Sequence, residues 1–67
     1  METVYAGTAV KVEAECGERD TLTDMPFVLA HFCNGHPVAT YGYNSVETLK
    51  AELAEFREAG ASIELML

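Results

Sequence analysis

The spacing of apolar positions changes along the chain, and each change marks the border of an element. Residues 3–16, TVYAGTAVKVEAEC, alternate with period two: Val4, Ala6, Val10, Val12, Ala14 and Cys16 fall on one side, and Tyr5, Lys11, Glu13 and Glu15 on the other. Strict alternation is the pattern of a half-buried strand, and Gly7 is the natural place for a bend or bulge in one so long. Residues 17–25 are polar and rich in turn formers. They end before Pro26, which pushes Met25 toward extended backbone, so they read as a loop with at most a helical turn around Leu22.

Two apolar runs follow, PFVLAHFC and HPVATYGY, separated by Asn34 and Gly35. Both turn residues tolerate the positive φ that a type I′ turn requires, so the pair of runs predicts a β-hairpin. Cys33 then stands opposite His36, Phe32 opposite Pro37, His31 opposite Val38, Ala30 opposite Ala39, Leu29 opposite Thr40 and Val28 opposite Tyr41. Opposite residues share a face. One face reads Val28, Ala30, Phe32, Pro37, Ala39, Tyr41, Tyr43 and is the expected core face; the other reads Phe27, Leu29, His31, Cys33, His36, Val38, Thr40. Pro37 occupies a position whose amide would point away from the partner strand. Its lack of an N–H therefore leaves the hairpin intact and predicts that the second strand begins as an open sheet edge.

After Gly42 the period becomes that of a helix. Asn44 followed three residues later by Glu47 forms a capping box, with Ser45 an alternative cap. Val46, Leu49, Leu53 and Phe56 make an apolar stripe flanked by Lys50 and Arg57, and Gly60 supplies the left-handed C-terminal residue. The helix is expected over residues 45–59. Residues 62–67, SIELML, alternate again, and a strand that follows a strand and a helix so closely returns parallel in the same sheet. The prediction is one small α+β domain over residues 1–67, ordered β-β-β-α-β. It has a four-stranded, mostly antiparallel sheet with one helix packed on one face, the strand order being left open.

At 67 residues the chain buries only about 60% of its unfolded surface, so its core needs reinforcement from a disulfide, a metal or a partner. Two cysteines allow one bridge at most, which is no disulfide framework. There is no signal-peptide pattern and no run long enough for a membrane span, so a cytoplasmic protein with free thiols and no membrane contact is expected. Eleven acidic against four basic residues give a net charge of −7, which opposes direct binding to nucleic acid.

His31, Cys33 and His36 are the candidate metal or thiol centre, with Cys16 as a fourth ligand if its strand ends nearby. The spacing fits no zinc motif, and a catalytic thiol would need an oriented base and an oxyanion site that nothing supplies. No phosphate loop, dinucleotide fingerprint or HExxH is present. The expectation is a protein without enzymatic activity, cofactor or bound metal, the alternatives being a metal- or thiol-dependent protein centred on Cys33, His31 and His36, or a structural homo-oligomer.

Two features point instead to a protein partner. Glu47, Glu52, Glu55 and Glu58 on the helix, with Glu13 and Glu15 on the sheet, offer negative charge to a basic surface, which raises association rates. Size and charge are similar to those of small acidic inhibitors of nucleic-acid-handling enzymes, phage-encoded inhibitors of CRISPR complexes among them, although no sequence motif carries the likeness. The second feature is the hairpin's other face. One helix covers one side of a sheet, which leaves Phe27, Leu29 and Val38, together with Tyr5 and Met66, in need of a cover. That cover is expected to be a partner protein bound by an inhibitor or adaptor, or a second copy in a homodimer, or the loop over residues 17–25.

Overall fold

A computed structural model describes residues 1–16 and 24–67. The element order is β1 (Glu2–Thr8), α1 (Ala9–Cys16), β2 (Phe27–Cys33), β3 (His36–Tyr43), α2 (Val46–Glu58) and β4 (Ser62–Met66). The four strands form one mixed sheet in the order β3-β2-β1-β4, with β1–β2 and β2–β3 antiparallel and β1–β4 parallel. The α+β class and the four-stranded, mostly antiparallel sheet are as the sequence predicts. The loop expected over residues 17–25, with its turn around Leu22, lies outside the described residues except for Asp24 and Met25.

The first correction concerns residues 9–16, which are helix rather than the second half of a strand. Their sequence satisfies two periods at once, because Ala9, Val12 and Cys16 also recur at helical spacing. Val12 is fully buried, with Ala9 and Cys16 packed around the same cluster, whereas Val10 is 74% exposed. The composition favours the helix, since alanine, lysine and glutamate are good helix formers. Thr8 marks its start: the Lys11 N–H donates to Thr8 Oγ1 at 3.4 Å. The Ala9 N–H donates to the Pro26 carbonyl at 3.0 Å, which fastens the beginning of α1 to the start of β2.

Gly7 is neither a bend nor a bulge. It pairs with Val28 on one side and Met66 on the other in unbroken register. It is a point of close backbone approach instead.

At the hairpin, Asn34 and Gly35 have φ of 52° and 82°, the backbone that a type I′ turn requires. Cys33 pairs with His36 and Phe32 with Pro37, as expected. The register then slips by one residue: His31 pairs with Ala39, Ala30 with Thr40, Leu29 with Tyr41, Val28 with Gly42 and Phe27 with Tyr43. Val38 is the extra residue, and a single extra residue exchanges the faces of everything beyond it. Ala39, Tyr41 and Tyr43 therefore share a side with Leu29, not with Val28.

That slip decides which face α2 covers. Leu49 and Leu53 pack with Val4, Ala6 and Leu29 in one buried cluster, edged by Phe27, Tyr43, Phe56, Ala61 and Ile63. The opposite face carries Val28 and Ala30 under Val12 of α1, with Tyr5, Phe32 and Met66 beside them. The expected stripe-to-face match is thus reversed, and both faces have a helix. Tyr5 and Phe32 meet edge to face with ring centroids 5.5 Å apart, which fixes the α1 side.

The α2 helix is held at both ends. Ser45, not Asn44, is the N-cap, and its Oγ accepts from the Thr48 N–H at 3.3 Å. At the other end the Ala61 N–H donates to the Phe56 carbonyl at 3.1 Å and the Gly60 N–H to the Arg57 carbonyl at 3.0 Å, with Gly60 at φ 90°. This pair of bonds is a Schellman motif, and it turns the chain directly into β4.

Candidate functional site

The residues singled out in the sequence do not form one site. Leu29 is fully buried and Phe27 is half-buried, both against α2, so neither belongs to an uncovered patch. Val38, 56% exposed, is the only one of the three left open to solvent. The face that called for an outside cover is closed by the chain's own second helix. Tyr5 and Met66 lie on the α1 side, not beside Leu29.

The carboxylates are divided as well. Glu13 and Glu15 sit on α1, not on the sheet, and so lie across the sheet from Glu47, Glu52, Glu55 and Glu58 of α2. Along α2, helical spacing places Glu52 and Phe56 on the same flank of the Leu49–Leu53 stripe, with Glu55 next to them, while Lys50 and Arg57 fall on the other flank. Glu47 and Glu58 are exposed at the helix's two ends.

His31, Cys33 and His36 do share a face of the hairpin. His31 is already engaged, with Nε2 2.7 Å from Glu2 Oε1 and its ring 5.1 Å from that of Phe56. Among the described residues no three histidine, cysteine or acidic side chains are grouped so as to hold a metal ion. Cys16 lies on the α1 side in a hollow of about 180 Å³ with Tyr5, Glu15 and Phe32. Burial, followed by the charge of Glu15, pushes its thiol up from the ordinary range, the opposite of what an activated nucleophile needs.

Sequence reasoning missed the feature that does gather chemistry. Between β3 and α2 runs a cleft of about 480 Å³ lined by Thr40, Tyr41, Gly42, Tyr43, Glu52 and Phe56. It adjoins a shallower hollow of about 260 Å³ reaching Glu55 and Ala59. Its walls are three aromatic rings and carboxylates, and among the described residues no lysine or arginine lines it. Tyr41 is 45% exposed at its mouth. The Tyr43 hydroxyl is pushed up to about 12 by burial first and then by the charges of Glu52, Tyr41 and Glu55, so at neutral pH it is a neutral donor. The cleft exists because the slip at Val38 turns Tyr41 and Tyr43 toward α2; the unslipped register would have turned them away.

No protein-family model matches the chain, and neither a characterised protein nor a solved structure matches it. Among the described residues no helix is long and apolar enough to cross a membrane.

Proposed function

We propose that this chain is a small acidic binding protein without enzymatic activity, acting as an inhibitor or adaptor by occupying the surface of a basic protein partner. The observation that carries this reading is the β3–α2 cleft, where Glu52 and Glu55 stand beside the rings of Tyr41, Tyr43 and Phe56 at the molecular surface. Carboxylates next to exposed aromatic faces form a surface that recognises cationic side chains, through charge and through the ring quadrupoles. A net charge of −7 adds long-range attraction toward such a partner and repels phosphate. Partners that handle nucleic acid present basic grooves of this kind, and an acidic protein seated there would compete with the phosphate backbone.

The test is affinity capture with wild type and with a Glu55→Lys/Glu58→Lys double variant, each at 0.1 M and 1 M salt. The Debye length falls from about 10 Å to about 3 Å between these conditions. The expected result is a basic protein retained by wild type at low salt and lost at high salt or with the variant, whose circular dichroism stays that of the folded chain. Retention of the same protein by all samples, or of none, overturns the reading.

A further inference from the structure

The two edges of the sheet are not equivalent. The β4 edge is five residues long and carries the exposed carboxylate of Glu64. The β3 edge is eight residues long, and its only ionisable side chains other than tyrosine belong to His36. Edge strands are kept from pairing with other chains by charge, proline or bulges. β3 has two of these devices, Pro37 and the extra residue at Val38, and both lie in its first half. Beyond them, residues 39–43 (ATYGY) form a regular stretch that, among the described residues, pairs with β2 on one side and with no strand on the other. The open half is also the half that forms the cleft wall, since Thr40, Tyr41, Gly42 and Tyr43 line it. An unprotected edge and an anionic aromatic cleft therefore occupy the same few residues.

We infer that residues 39–43 accept an extended basic segment of a protein partner as a fifth strand, with a lysine or arginine side chain of that segment seated in the cleft beside Glu52, Tyr41 and Phe56. An added strand presents alternate side chains to one face, so a residue on the α2 side points into the cleft. Backbone bonds to the edge supply sequence-independent affinity, and the cleft selects for positive charge through Glu52 and the ring faces. This inference rests on the acidic-binding reading above and adds where on the molecule, and in what backbone form, the partner is held.

The probe is a synthetic ten-residue peptide alternating threonine and valine with two central lysines, compared with the same peptide carrying glutamates in place of lysines. Backbone amide resonances of the isotope-labelled chain are followed as each is added. The expected result is that the lysine peptide shifts residues 39–43 and 52–59 and slows amide exchange along β3, that the glutamate peptide does neither, and that Glu52→Gln weakens the lysine peptide about tenfold while Glu58→Gln changes it less than twofold. Shifts centred on Glu13 and Glu15, or equal weakening by Glu52→Gln and Glu58→Gln, would overturn the edge site while leaving the acidic-binding reading standing. Equal response to both peptides would remove both. Shifts in β3 that grow with protein concentration alone would show a second copy on this edge and would also overturn the inference.

Discussion

A β-carbon placed on Gly7 would stand 2.3 Å from the carbonyl oxygen of Met66, with the Met66 carbonyl carbon at 2.5 Å. Real side chains do not approach backbone so closely, and here backbone must yield rather than a flexible side chain. Gly7 sits in the strand that joins the antiparallel part of the sheet to β4, so yielding means parting β1 from β4.

Gly7→Ala is therefore expected to cost at least the 1–3 kcal/mol, roughly, of an overpacked core. That is a large part of the stability of about 3–10 kcal/mol that 67 residues provide. Gly35→Ala is the comparison: nothing lies within 4 Å of its added carbon, and only the strain of φ 82° opposes it, about 1–2 kcal/mol. Urea unfolding of both variants checks this. Equal midpoints for Gly7→Ala and wild type would show that the strand spacing is not as described.

Leu29 and Val38 belong to the same hairpin and were expected to share one uncovered face, yet one is fully buried and the other mostly exposed. Leu29→Ala should lose about 2–5 kcal/mol, as for other large-to-small changes in a core. Leu29→Glu should leave the chain unfolded, because a carboxylate would be buried beneath α2 without a partner. Val38→Glu should stay within about 0.5 kcal/mol of wild type. Circular dichroism with urea titration separates the three, and a folded Leu29→Glu would restore the external-surface reading of that face.

The hairpin, its turn and the capped second helix were legible because their signals are local. Asn34-Gly35 fixes its own backbone, and Ser45 and Gly60 mark the ends of α2 within a few residues. The helix over residues 9–16 was not legible because VKVEAEC meets both periods, and the choice between them lies in distant residues. A sheet with Val28 and Ala30 on one side and Leu29 and Phe27 on the other needs two covers, and the chain supplies them as α1 and α2. The strands alone carry the demand for a second cover, but with residues 9–16 read as strand the candidates are a partner, a second copy or the loop over residues 17–25, and α1 is not among them. The cleft was hidden for a subtler reason. One extra residue at Val38 exchanges the faces of Tyr41 and Tyr43, and neither Pro37 nor Val38 announces it in advance.

Tyr43 links the cleft to stability at high pH. Its hydroxyl pKa is raised to about 12, first by burial and then by Glu52, Tyr41 and Glu55, whereas an unfolded tyrosine ionises near 10. Between these values the native chain keeps a proton that the unfolded chain has released. Unfolding is then favoured as pH rises: the contribution of Tyr43 is complete below about pH 10 and is lost on the way to about pH 12. Other groups titrate there too, so the expected signature is a difference. Tyr43→Phe, which keeps the ring and removes the proton, should show a shallower fall in its urea midpoint between pH 10 and 12 than wild type does. Glu52→Gln should lower the pH at which Tyr43 ionises, read as the part of the tyrosinate absorbance that Tyr43→Phe removes, because it removes the leading charge that opposes ionisation. Parallel alkaline limbs for wild type and Tyr43→Phe would mean that the Tyr43 hydroxyl faces water rather than the wall formed with Glu52 and Phe56.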